Sequence, residues 1–398
     1  MFCNFIPYQW LKILKFVPKK TIAVRIAVNT RFLIPGRMEG IGWFTYHTLK
    51  IITQKHPEVE FIFLFDRPWD KGFVFGPNVH PVILRPPARH PVLWYLYFEY
   101  SIHEYLRRHR CDLFLSTDGF LSLRHKKTPQ LAVIHDINFE HHPKFLPPLV
   151  RAYYRHFFPR YARHARRIAT VSQWSANDLV KTYGVTSSKI DVVYNGASEI
   201  FAPISPAEKV SKRQMISDGK PYFIFVGAFN PRKNIEGLFR SFDLFADRID
   251  RDFRLVIVGE KMHWTTSMQD SFRQMKHREK VIFAGRRQGR ELNDILAASE
   301  GLWFVSNFEG FGIPIVEAFR AGVPVITSTV TSLPEVAGDA ALLCNPADHY
   351  AIAEAMLRLA RDSKLRNALI IKGMNRAKLF TWEDSAVRLW HSIEKTLL

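Results

Sequence analysis

Residues 307–328 read NFEGFGIPIVEAFRAGVPVITS. The stretch puts Glu309 in a glycine-flanked loop and Glu317 within a helical turn of Pro314, just before a second glycine turn. The preceding GLWFVS has the apolar, aromatic character of a buried strand. Pro314 suits the first turn of a helix running to Arg320. In open parallel sheets, ligands collect where strands end and helices begin. Both glutamates therefore fall at a ligand-facing edge. A carboxylate there can accept hydrogen bonds from two hydroxyls of a sugar or a ribose at once. A solvated helix face would explain Glu317 but not the whole loop.

The same grammar runs along the chain. In the front half TIAVRIAVN, FIFLFD, CDLFLS, LAVIHD, RIATVS and IDVVYN read as strands. Helical stretches lie between them near Trp43–His56, Trp94–His109, Pro147–His164 and Gln173–Tyr183. The back half gives YFIFVG, RLVIVG, VIFAG, LWFVS, PVITS and ALLCNP, and the tail after Asp348 reads as wholly helical. Near-continuous apolar strands separated by helices predict parallel sheets covered on both faces. The fold class is α/β, with two doubly wound domains facing across a cleft. The expected divisions are a basic amphipathic segment at 1–21, an amino-terminal domain at 22–200, a linker at 201–220 and a carboxyl-terminal domain at 221–380. A last helix at 381–398, opened by Thr381 and Asp384 in a capping-box spacing, is expected to pack back toward the first domain.

A chain of 398 residues exceeds one ordinary core, and 47% hydrophobic composition excludes a disordered protein. Cys3, Cys111 and Cys344 have no paired spacing, which fits a reducing, cytoplasmic compartment. The net charge of +19 is uneven: residues 1–200 hold 28 Lys and Arg against 14 Asp and Glu, and residues 201–398 hold 28 against 23. A basic front half implies an anionic partner. MFCNFIPYQWLKILKFVPKK, with Trp10, Leu14 and Val17 opposite Lys12 and Lys15, suits an interfacial helix on an anionic membrane as well as it suits an ordinary packing helix. The expected placement is peripheral, on the inner face of the cytoplasmic membrane.

Candidate chemistry lies just after strands. AFNPRKNIEGL sets Arg232 and Lys233 before a helix starting near Asn234, where free N–H groups and two cations suit a diphosphate. Gly40 and Gly42 follow the first strand and allow close backbone approach, although the spacing is not a dinucleotide fingerprint. His135 and Asp136 end the LAVIHD strand. His141 and His142 follow, but no third ligand completes a metal spacing, so no metal is expected. Asp250–Asp252 reads as a solvated turn, and no nucleophile elbow is present.

Taken together, EGFGIPIVEAFRAGVPVITS, SLPEVAGDAALLCNP, FVGAFNPRKN, VIHDINF, RIATVSQWSANDL and VVYNG resemble the retaining glycosyltransferases of family 4, from about Ile22 to Leu397. The likeness is strongest to bacterial mannosyltransferases that build surface polysaccharides, and it implies the GT-B fold. By resemblance, Arg232 and Lys233 hold the donor diphosphate, Glu317 the ribose, and Glu309 the sugar hydroxyls. His135 positions the sugar, the Gly40–Gly42 loop closes over the phosphates, and Gly227, Gly310, Phe311, Gly312 and Ile313 complete the donor site. Many relatives carry Arg after the strand glycine, whereas Ala228 follows Gly227 here. The implied donor is GDP-mannose, with UDP-glucose and UDP-GlcNAc as alternatives; the acceptor is a glycan or a lipid-linked glycan, with no cofactor and no metal. Competing expectations are a sugar-nucleotide epimerase of the same fold and a nucleic-acid binder. The basic clusters lack the interleaved aromatics of a nucleic-acid reader, so no nucleic-acid partner is expected.

Overall fold

The computed structural model describes residues 24–260 and 264–398. The amino-terminal segment read as an interfacial helix lies outside them. Two wholly parallel sheets form the frame. The first holds β1 (Arg25–Asn29), β2 (Glu60–Phe65), β3 (Val79–Ile83), β4 (Leu113–Ser116), β5 (Gln130–Val133), β6 (Arg167–Thr170) and β7 (Ile190–Val192), in the order β3-β2-β1-β4-β5-β6-β7. The second holds β8 (Tyr222–Val226), β9 (Arg254–Val258), β10 (Val281–Gly285), β11 (Gly301–Phe304), β12 (Val325–Ser328) and β13 (Ala341–Cys344), in the order β10-β9-β8-β11-β12-β13. Ile26, Ala27 and Val28 of β1 and Leu255, Val256 and Ile257 of β9 are fully buried. Burial on both faces removes the need for a polar alternation, and that is why these strands read as unbroken apolar runs.

Strand β3 was not visible in the sequence. It contains Pro81, which lacks an amide donor, and polar His80. Both are tolerated because β3 is an outermost strand, paired on one side only, with β2.

The segment expected as a linker holds a helix, Pro206–Ser217. Ser205 and Glu208 form a reciprocal capping box at its start. Arg213 bonds Glu300 and the Ala298 carbonyl, which ties this helix to the second domain. The Pro and charge content of this segment masks a capping signature, Ser205 three residues before Glu208, that marks a helix start.

The last helix, Trp382–Leu397, crosses from the second domain onto the first. Thr381 caps it by accepting from the Asp384 amide at 3.1 Å. Leu389 and Ile393 share one buried core with Phe44 and Ile52 of the helix Gly40–Lys55. Trp382 stacks on His47 at 4.8 Å and Trp390 on His56 at 3.6 Å. Ser392 and Lys395 both bond Asp191 of β7. Among the described residues no helix is long and apolar enough to cross a membrane.

Candidate active site

In each sheet, chain order reverses on either side of one neighbouring pair: β1 and β4 in the first, β8 and β11 in the second. Loops leaving such a pair diverge and open a crevice. The two crevices face one another and form a cleft of about 750 Å³. Gly40, Gly42, His135, Gly227, Arg232, Lys233, Glu309, Gly310, Phe311, Gly312, Ile313 and Glu317 all line it.

On the second domain, the chain leaves β8 through Gly227 and makes a tight turn, Pro231–Lys233. The Asn230 side chain holds that turn by accepting from the Arg232 amide at 3.1 Å. The adjacent loop after β11 is strapped to it, since the Asn307 amide donates to the Arg232 carbonyl at 2.7 Å. The cations and the acidic loop are thereby fixed side by side.

Glu309 is bound at both oxygens. Oε2 accepts from Arg232 Nη1 and Oε1 from Lys233 Nζ, the latter at 2.6 Å. Sequence reading had given the cations and Glu309 separate ligands; the structure pairs them, because a carboxylate only 5% exposed needs its charge compensated. Burial pushes the Glu309 carboxyl up, but the Arg232 and Lys233 charges outweigh it and hold it below its ordinary value. Burial draws Lys233 down to about 8 against the pull of Glu309. Its ammonium also lies 4.6 Å from the centre of the Phe304 ring. Two cations against one anion leave one net positive charge facing the cleft, with spare N–H groups on both.

Two helix starts reinforce it. The helix Gly40–Lys55 and the helix Ile313–Arg320 both begin at the cleft, and neither has a side-chain cap. Gly40 lies close to Ile313: a Cβ built on it would stand 3.9 Å from the Ile313 side chain. Their amides and dipoles therefore point into the same space, which suits an anion. Gly312, with φ of 107°, turns the chain from the acidic loop into the second helix, and a Cβ there would meet Leu333 at 2.8 Å. Glu317 follows on that helix with no hydrogen-bond partner among the described residues, and burial pushes it up to about 7.

From the first domain, His135 enters just beyond β5. Its Nε2 lies 2.9 Å from the Thr117 carbonyl, an acceptor only, so Nε2 carries the hydrogen. Burial lowers its pKa, which leaves a neutral ring with the Nδ1 lone pair free. Its ring packs edge-on against Phe44 at 5.1 Å.

Among the polar lining residues to which the sequence assigns no role are Arg31, Tyr154 and Asp136. Position after β1 and β5 was available as a signal for Arg31 and Asp136. Tyr154 lies mid-helix in Pro148–His164, where nothing local marks it.

Residues 39–199 match the model of Glycosyltransferase Family 4, and residues 207–376 match Glycosyl transferases group 1. An O-antigen chain mannosyltransferase B of Escherichia coli is 31% identical over 66% of this chain and 69% of its own length. O-antigen chain mannosyltransferase RfbU of Salmonella typhimurium is 26% identical over 68% of this chain and 72% of its own. Among solved structures, Anabaena HepE in complex with UDP and glucose superposes with a TM-score of 0.73 at 16% identity, over 93% of this chain and 99% of that one. Facing Rossmann-like sheets and these matches agree: the chain is a glycosyltransferase with the GT-B fold and belongs to glycosyltransferase family 4.

Proposed function

We propose that the protein transfers mannose from GDP-mannose, with retained anomeric configuration, to a glycan or lipid-linked glycan during surface polysaccharide synthesis. The mannosyl specificity of the two O-antigen relatives supports the donor. The observation that carries the mechanism is the Arg232–Lys233–Glu309 cluster set beside two uncapped helix starts.

The cations and amides receive the diphosphate and stabilise the charge that grows on it as the bond to the anomeric carbon breaks. They supply this charge balance from protein groups alone. Glu317 as a carboxylate binds the ribose hydroxyls, and Glu309 reaches the sugar hydroxyls. His135 offers Nδ1 to a further hydroxyl. The acceptor oxygen bonds to the anomeric carbon on the face the diphosphate leaves, and its proton passes to the departing phosphate oxygen.

A thermal-shift screen of nucleotide sugars followed by turnover with lipid-linked acceptors tests this reading. GDP-mannose is expected to stabilise the fold and be consumed. Preference for UDP-glucose or UDP-GlcNAc would reassign the donor, and net epimerisation without acceptor would reassign the reaction.

We propose further that the protein acts at the inner surface of the cytoplasmic membrane. Val92, Tyr95 and Tyr100 are exposed on the first domain, with Arg124 5.0 Å from the centre of the Tyr100 ring. Apolar tips beside cations suit an anionic headgroup layer. Co-sedimentation with anionic but not zwitterionic vesicles is expected; equal recovery with both would argue against it.

A further inference from the structure

Beyond the donor groups, the first-domain side of the cleft holds a second set of polar groups. Arg31 is only 5% exposed. Its Nε donates to Asp118, and its guanidinium lies 4.0 Å from the centre of the Phe120 ring. Asp118 is fully engaged: Oδ1 accepts from Asn29, Ser116 and the Phe120 amide, at 2.9, 3.0 and 3.3 Å, and Oδ2 accepts from Arg31. The Nη groups of Arg31, however, have no acceptor among the described residues, and Arg31 lines the cleft.

Two more groups share that condition. Asp136 uses Oδ1 to accept from the Asn138 amide and side chain, at 3.0 and 2.6 Å, while Oδ2 has no donor among the described residues. The Tyr154 hydroxyl has no partner among them either. The Tyr154 ring packs against Phe120 and Phe139, with ring centroids 5.8 and 5.0 Å apart, and Phe120 also carries the Arg31 guanidinium, so Arg31 and Tyr154 border one part of the cleft that Asp136 also lines. Phe120 and Phe139 line the same part of the cleft. This space opens onto the donor site, because a Cβ on Gly310 would lie 3.0 Å from the Asp136 Cβ.

We infer that Arg31, Asp136 and Tyr154 form the subsite for the acceptor's terminal unit, and that this unit is an uncharged pyranose. The inference rests on the glycosyltransferase reading and deepens it. Donor N–H groups, a hydroxyl and a free carboxylate oxygen between aromatic walls match a ring that is polar at its rim and apolar on its faces. A phosphate-bearing terminus fits poorly. Arg31 is already neutralised by Asp118, and Asp136 would repel a second anion. Asp136, at the junction of the two sites, orients the acceptor hydroxyl that faces the anomeric carbon.

Saturation-transfer NMR on the full chain tests this with the methyl glycosides of mannose, glucose and N-acetylglucosamine and their phosphate monoesters, with and without GDP. Arg31 is left in place, since its removal strands buried Asp118. At least one neutral glycoside is expected to bind the wild type. Tyr154→Phe and Asp136→Asn should each weaken it roughly tenfold, with GDP affinity unchanged. The inference is overturned if only phosphate monoesters bind, if no glycoside binds, if both variants match the wild type, or if they lose GDP in step with the glycoside. Failure of both GDP and UDP to bind would instead sink the donor reading, and the nucleotide-free glycoside signal would still decide the subsite.

Discussion

Gly310 of the second domain lies so close to His135 of the first that a Cβ added to it would stand 2.4 Å from the His135 carbonyl oxygen. Ser175 Oγ, at the start of the helix Gln173–Tyr183, bridges the same two residues at 3.3 Å to each carbonyl. The acidic loop and the histidine strand end therefore meet backbone to backbone. Gly310→Ala should force the two halves apart and cut turnover on the order of a hundredfold through misplacement. Steady-state kinetics alongside small-angle scattering reads both effects; wild-type rates would show that this contact does not set the geometry.

Lys233→Ala removes one of the two cations beside Glu309 while leaving Arg232 to compensate the carboxylate. Turnover should fall about a hundredfold to a thousandfold, as expected when a charge that stabilises a leaving group is lost. Circular dichroism should still report a folded protein. A folded variant with unchanged kcat would remove Lys233 from the mechanism.

Glu317 makes a prediction about pH. Burial raises its folded value to about 7, above the ordinary carboxyl range. Folding therefore favours the protonated form. Its contribution to stability is complete at acid pH and is lost as pH rises from the ordinary carboxyl value through about 7. Glu317→Gln abolishes that slope, so thermal melts should show the variant gaining on the wild type between pH 5 and pH 8. Nucleotide affinity should run the other way in the wild type, strengthening through about 7 as the carboxylate forms. A pH-independent difference between the two proteins would contradict the assignment.

Glu335, on the short helix Leu333–Ala337 of the second domain, caps the helix Gln173–Tyr183 of the first. Its oxygens accept from the Gln173 and Trp174 amides at 2.8 and 2.9 Å. Glu335→Ala should cost about 1 kcal/mol, the usual worth of an N-cap. Because the cap crosses the domain interface, the donor KM should change as well. A stability loss with unaltered kinetics would mean that the cap holds the helix and not the closed arrangement.

Twelve of the thirteen described strands were legible: burial on both faces writes an apolar run into the inner strands, and the partly buried edge strands β7, β10 and β13 still carry enough apolar residues to be read. Only β3 escaped, its Pro81 reading as a break where an edge strand tolerates one. Around the site, position after a strand was enough to single out Arg232, Lys233, His135, Glu309 and Glu317. What position could not reveal was pairing. That Glu309 pairs with both cations follows from how tightly the loops after β8 and β11 are strapped together, and this is a property of sheet order. Tyr154 was likewise invisible: a tyrosine in a helix rich in aromatic residues reads as core, and only tertiary placement leaves its hydroxyl unpartnered in the cleft.

Calorimetric titration of GDP-mannose at pH 8 into the wild type, Lys233→Ala, Glu317→Gln and the double variant tests most directly whether the cationic turn and the acidic helix grip the same ligand. The account predicts that each single change weakens binding roughly tenfold or more and that the double variant shows no measurable heat. Wild-type affinity in both single variants would contradict it.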